Sequence, residues 1–219
     1  MEKTLKKLLC SLLDFILPKK EQIKYLELLT QDEFYEKTAK ADRLGLGRQT
    51  FPIFDYRDSL VKNAIWEIKY RKNEKIIKLI GKILSDELTA ILGDLSLFSN
   101  FNYPILIPIP LSKNRERQRG FNQCELIAKV ICKNSVGIFF EKDILIKIKD
   151  TKPQTSFSDR KSRLENLKDC FEIIDVQKIK NQNIILLDDV TTTGATLNEA
   201  KKCLLNSGAK KVIAITIAH

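Results

Sequence analysis

Residues 183–197, NIILLDDVTTTGATL, decide the fold of this chain. Ile184, Ile185, Leu186 and Leu187 form a continuous apolar run, the pattern of a parallel strand buried on both faces, and the run stops at two adjacent carboxylates, Asp188 and Asp189. After Val190 comes a small, hydroxyl-rich loop of Thr191, Thr192, Thr193, Gly194, Ala195 and Thr196, entering a helix marked by Leu197, Ala200, Leu204 and Leu205. The first turn of a helix offers free backbone N–H groups and the positive end of the dipole, so an anion is stabilised there without a buried cation. Gly194 lets the backbone come close, and the threonine hydroxyls can donate to phosphate oxygens. The two carboxylates are a poor phosphate site and suit ribose hydroxyls or a magnesium-organised sugar. A simpler alternative is an ordinary capped strand-loop-helix, because Thr196 and Glu199 have capping-box spacing. Capping alone requires neither the aspartate pair nor the threonine run.

These residues resemble the 5-phosphoribosyl-1-pyrophosphate (PRPP) motif of type I phosphoribosyltransferases. Working outward, Ile105 to Ile109 read as another buried strand, broken by Pro108-Ile109-Pro110-Leu111. Next come Lys113, Arg115, Arg117 and Arg119, four cations in seven residues, then Gly120-Phe121-Asn122-Gln123 and a helix through Leu126, Ile127, Val130 and Ile131. That succession closely resembles the signature of the ComF-type competence phosphoribosyltransferases. Ile68-Lys69-Tyr70-Arg71 resembles a second element of the same family, and Thr151-Lys152-Pro153-Gln154-Thr155 with Ser158, Arg160, Lys161, Arg163 and Asn166 resembles its flexible region. The basic run by itself leaves pyrophosphate, a DNA backbone and plain solvation open.

The resemblance covers about residue 51 to the C-terminus, and its implications are expectations. The fold expected is α/β, a type I phosphoribosyltransferase domain with a mostly parallel sheet flanked by helices over 51–219, preceded by a helical appendage over 1–50. Asp188 and Asp189 are expected to accept from the ribose hydroxyls, and Thr191, Thr192, Thr193, Gly194, Ala195 and Thr196 to hold the 5-phosphate. Pro110, Leu111 and Ser112 match the pyrophosphate loop, with Lys113 and Arg115 beside it. Arg115, Arg117, Arg119, Lys69 and Arg71 are candidates for nucleic-acid contact. Magnesium is expected to arrive with PRPP near Asp188 and Asp189, with no direct metal ligand. The family further implies a role in handling single-stranded DNA during natural transformation, with a DNA-uptake helicase as a partner. Pentosyl transfer to an unknown acceptor, a non-catalytic PRPP or nucleic-acid binding module and nucleobase salvage all stay open.

Composition bounds the rest. The chain has 219 residues, enough for one α/β domain and an appendage, and 38 basic against 28 acidic residues give a formal charge of +10. That balance suits anionic ligands or nucleic acid, and equally a solvated lysine-rich surface. Five scattered cysteines without C-x-x-C spacing, and a single histidine at His219, argue against zinc and against His-based triads; a cytoplasmic protein with reduced thiols is expected. Neither a third glycine after Gly45-Leu46-Gly47 nor a Walker A sequence occurs, so nucleotide hydrolysis is not indicated. Residues 1–17 carry Leu5, Leu8, Leu9, Leu12, Leu13, Ile16 and Leu17 at helical spacing, ended by Pro18, and predict an amphipathic docking helix rather than a signal or transmembrane segment. Helical periodicity also predicts helices over 21–29, 59–70 and 74–92, two of them ahead of the sheet, and strands at 144–148, around 171–174 and at 212–217.

Overall fold

The computed structural model describes residues 21–42, 49–149 and 169–219. The amphipathic segment 1–17, Gly45, Gly47 and the flexible-region residues of 151–166 therefore lie outside the described residues. The described chain runs α1 (Glu21–Leu28), α2 (Gln31–Lys37), β1 (Thr50–Phe54), α3 (Ser59–Trp66), a π-helical turn (Glu67–Arg71) and α4 (Glu74–Ser99). It continues through β2 (Ile105–Pro108), α5 (Lys113–Arg119), α6 (Gln123–Asn134), β3 (Phe139–Phe140), β4 (Leu145–Lys147), β5 (Phe171–Ile173) and α7 (Val176–Ile179). The C-terminal part is β6 (Asn183–Val190), α8 (Ala195–Asn206) and β7 (Lys211–Ala218).

Five strands form a parallel sheet in the order β1-β7-β6-β2-β3. The alternation of side chains along a strand divides its apolar run between two cores. Ile185, Leu187, Ile213, Ile215 and Ile217 face the helices α3, α4 and α6, while Ile184, Leu186, Val212 and Ala214 face α8 and the β4–β5 pair. Both faces are buried, which is why β6 and β7 read as unbroken hydrophobic runs. The type I phosphoribosyltransferase architecture expected from the sequence is the one observed.

Particular elements differ from expectation. A strand, β1, precedes the helices and forms the edge of the five-stranded sheet, with a single bridge from Lys40 to Phe54 on its outer side; Pro52 hides it in the sequence, but an edge strand tolerates a residue without an N–H. The 144–148 and 171–174 segments pair antiparallel with each other, Leu145 opposite Ile173, outside the main sheet. The strand expected at 212–217 is present as β7, between β1 and β6. An unforeseen α2 starts at a capping box in which Thr30 accepts from the Glu33 N–H and the Glu33 carboxylate accepts from the Thr30 N–H. Leu26, Leu29 and Phe34 enter the same core as α4, so the described part of the N-terminal appendage is packed onto the sheet domain. Helix α4 runs to Ser99 before Asn100 ends it at φ +51°. Among the described residues no helix is long and apolar enough to cross a membrane.

Candidate functional site

Strand β6 carries both carboxylates to the C-terminal edge of the sheet, where ligands of open α/β sheets bind. The strand does not stop at them, because pairing with β7 continues through Asp188 opposite Thr216 to Val190 opposite Ala218. Alternation sends Asp189 to the face of Ile185 and Leu187, and it is buried there with both oxygens engaged. Lys69, from the π-helical turn, places Nζ 2.8 Å from Oδ1. Gln123, the first residue of α6, donates its amide N–H to Oδ2, and Arg119 donates to the Gln123 carbonyl, which fixes the amide's orientation. Burial, the largest single influence, works against the Lys69 ammonium, but the charge and hydrogen bond of Asp189 together with the Asp188 charge hold its pKa above the ordinary lysine value.

Asp188 sits differently. Its Oδ1 accepts from the Asp189 N–H at 2.8 Å and from the Cys124 thiol at 3.8 Å. Burial first, and the Asp189 charge second, push its carboxyl up to about 7, although part of the side chain faces solvent. Burial and the same two carboxylates drive the Cys124 thiol well above its usual range, so it stays protonated and donates. One oxygen of each aspartate and the Cys124 sulfur lie within 4.8 Å of one another. Magnesium takes hard oxygen ligands, so the carboxylates suit it and the neutral thiol does not.

The hydroxyl-rich loop turns at Gly194, whose φ of +71° is easy only for glycine, and α8 starts there with no side-chain cap. The Thr196 and Glu199 capping box does not form; Glu199 accepts instead from the Asp169 N–H at 2.7 Å. The loop is braced at its start, where the Thr191 N–H donates to the Ala218 carbonyl at 3.0 Å and His219 Nδ1 donates to the Thr191 carbonyl at 3.1 Å. Ala195 is buried and Thr192 exposed. Thr193 Oγ1 is buried with no hydrogen-bond partner among the described residues. An orphaned hydroxyl costs free energy unless a ligand satisfies it.

Beside the carboxylates, β2 ends in the loop of Pro110, Leu111 and Ser112. Ile109 donates to the Leu187 carbonyl at 2.8 Å, and the Asn122 amide donates to the Ile109 carbonyl at 3.0 Å while its oxygen caps α6 at the Cys124 N–H. Ser112 is buried as the first residue before α5. The basic run is itself helical, ended by Gly120 at φ +75°, and helical spacing splits it. Arg115 and Arg119 are half-buried on one side, and Lys113 and Arg117 are exposed on the other. Of the nucleic-acid candidates, Lys69 is thus occupied by Asp189, and Arg71 is exposed with its Nε 3.5 Å from Glu67. Sequence reasoning assigned no site role to Gln123, Asn122, Cys124 or His219. The Gly-Phe-Asn-Gln run was the available signal for the first two.

Comparison with known proteins matches residues 126–219 to a phosphoribosyl transferase domain. The chain is 32% identical over 161 residues to the competence protein ComFC of Bacillus subtilis, covering 74% of this chain and 60% of that protein. It is 30% identical over 168 residues to the competence protein ComFC of Streptococcus pneumoniae, covering 77% of this chain and 67% of that one. It is 26% identical over 163 residues to the DNA utilization protein YhgH of Salmonella typhi, covering 73% of this chain and 67% of that protein. The matched region thus spans well under two thirds of the Bacillus subtilis relative's length.

Proposed function

The chain belongs to the ComF-type phosphoribosyltransferase-like family, and from that premise we propose that it binds PRPP with magnesium at the C-terminal edge of β6 and serves the handling of single-stranded DNA. The observation that carries the reading is the Thr193 hydroxyl, which is buried without a hydrogen-bond partner among the described residues, in the loop between the carboxylate pair and a helix start that has no side-chain cap. The 5-phosphate would take the loop 191–196, accepting from Thr193 and from the first turn of α8. The ribose hydroxyls would donate to Asp188, with Asp189 held in place by Lys69 and Gln123. Pyrophosphate would lie toward Pro110, Leu111 and Ser112, within the field of Lys113 and Arg115. Magnesium, bound with the pyrophosphate near Asp188, supplies neutralisation of the leaving group's charge.

In pentosyl transfer an acceptor's lone pair forms a bond to ribose C1 as the bond from C1 to pyrophosphate breaks, and the pyrophosphate leaves with the electron pair. This chain's residues would contribute positioning and charge: the loop would anchor one end of the sugar, and the carboxylate pair would face the positive charge that grows on the ring. The competence and DNA-utilisation names of the relatives support a nucleic-acid context for that chemistry. Calorimetric titration of PRPP with magnesium tests the site, using wild type and Asp188→Asn. A measurable affinity that weakens sharply in the variant is expected; binding indifferent to the substitution refutes the assignment.

A further inference from the structure

The end of α3 and the π-helical turn that sends Lys69 inward leave two large aromatic side chains, Trp66 and Tyr70, facing outward. Trp66 is 48% exposed and Tyr70 61% exposed, and their rings stand 5.5 Å apart, tilted by 46°. Each carries its own cation: the Arg71 guanidinium lies 5.4 Å from the Trp66 ring and the Arg119 guanidinium 5.5 Å from the Tyr70 ring. A third pair adjoins them, with Lys72 Nζ 5.5 Å from the ring of half-buried Phe121. None of these three aromatics belongs to either apolar core. Single exposed rings are ordinary, but neighbouring rings that form one patch mark an interaction surface.

The chemistry of the patch selects its occupant. Alternating ring faces and cations fit a polyanion with planar apolar units, because bases stack on the rings while phosphates meet guanidinium and ammonium groups. Three ring-and-cation pairs exceed what one mononucleotide can cover. A duplex keeps its bases stacked on each other and out of reach of such rings. The patch also touches the carboxylate site directly, since Arg119 joins the Tyr70 ring to Gln123 and hence to Asp189, and Lys69 lies on the same turn as Tyr70.

We propose that Trp66 and Tyr70, flanked by Arg71 and Arg119, form a stacking platform for a single nucleic-acid strand at the lip of the PRPP site. The inference rests on the nucleic-acid part of the reading above and assigns it a surface. It also makes strand and PRPP neighbours that share the Arg119–Gln123–Asp189 connection.

Trp66 is the only tryptophan of the chain, so its emission reports on the platform alone. The probe is an oligothymidylate of about twelve nucleotides, longer than one stacking contact needs. Saturable quenching of Trp66 is expected, matched by a rise in anisotropy of the labelled strand. Tyr70→Ala is expected to weaken binding by roughly tenfold and Tyr70→Phe to restore it, because stacking needs the ring and not the hydroxyl. Arg71→Gln is expected to flatten the dependence of log affinity on log salt by about 0.7. Strand binding by anisotropy that neither quenches Trp66 nor responds to Tyr70→Ala overturns the platform while leaving DNA handling standing. Equal quenching by thymidine monophosphate or by a blunt duplex overturns it as well, and absence of strand binding removes both. PRPP calorimetry on the same protein reads the sugar-phosphate site independently.

Discussion

Replacing Thr193 with valine separates a ligand-binding hydroxyl from a structural one by the sign of two effects. Threonine and valine are both β-branched, so the backbone and χ1 preferences of the loop are preserved and only a hydroxyl is exchanged for a methyl. In the unliganded protein that hydroxyl is buried without a partner among the described residues. Removing an unsatisfied buried polar group recovers about 1 kcal/mol, which for a chain of this length raises the melting temperature by roughly 2–4 °C. With PRPP bound, the same hydroxyl would donate to a charged phosphate, an interaction contributing about 1.5–3 kcal/mol. Its loss weakens PRPP by about ten- to one-hundred-and-fifty-fold at about 1.4 kcal/mol per decade. Scanning calorimetry of the free protein and isothermal titration of PRPP with magnesium read the two effects separately. The expected pattern is a more stable protein that binds less well. A lower melting temperature would show that the hydroxyl is structurally satisfied in solution, and an unchanged affinity would show that no phosphate reaches it; either result refutes the reasoning.

Lys69→Met leaves the Asp189 carboxylate buried without its cation, and a loss of about 3 kcal/mol is expected in urea denaturation. Gly81→Ala should destabilise by about 1–2 kcal/mol despite alanine's better helix propensity, because the new Cβ would lie 2.6 Å from Cβ and Cγ1 of Val130 where α4 crosses α6. Asp188 is held protonated up to about 7 against a starting value of 3.8, so the folded state holds more protons between those values and stability falls as pH rises across that window. Urea midpoints at about pH 5 and pH 7.5 measure that slope, and Asp188→Asn should flatten it. Lys201 has the opposite slope: burial, with the uncharged Gln49 carbonyl and Thr50 hydroxyl as partners among the described residues, lowers it from 10.5 to about 8, so stability rises with pH between those values. Lys201→Met should abolish that rise in thermal melts at alkaline pH.

What the sequence discloses follows the range of the interactions involved. The apolar run, the aspartate pair and the glycine-terminated threonine run lie within fifteen consecutive residues, so local pattern and turn chemistry suffice to read β6, its loop and α8. The long helices are legible for the same reason, through apolar positions such as Ile76, Ile80 and Leu84 that recur on one face. Strand β1 is not, because its place depends on a partner strand more than one hundred and fifty positions away, Thr50 lying opposite Ala214. The partners of Asp189 are hidden likewise, since Gln123 and Lys69 come from other elements and nothing local distinguishes Lys69 from the solvated lysines around it. The Gly-Phe-Asn-Gln run showed that a constraint existed without showing its purpose. The fold explains both polar residues: Asn122 ties α6 to the loop after β2, and Gln123 reaches across to β6.

The two aspartates look equivalent in the sequence, yet the fold gives them different work. Two adjacent carboxylates at a partly buried strand end cannot both stay ionised without compensation. Asp189 is compensated by protein, through the Lys69 ammonium and an amide oriented by Arg119, and is therefore a fixed charge. Asp188 accepts, among the described residues, from a backbone N–H and a thiol, and burial and the Asp189 charge outweigh the Lys69 and Lys147 charges, so near neutrality it is compensated by a proton instead. A proton is easily exchanged for a ligand, whereas breaking the Lys69 pair leaves a buried charge uncompensated. On the proposed reading Asp188 is thus the member of the pair that would change partners on binding a sugar, while Asp189 connects through Gln123 and Arg119 to the aromatic face. That division predicts unequal phenotypes: Asp188→Asn should alter ligand affinity with little change in fold stability near neutral pH, while Asp189→Asn should leave Lys69 unpaired and lower stability before affinity can be read.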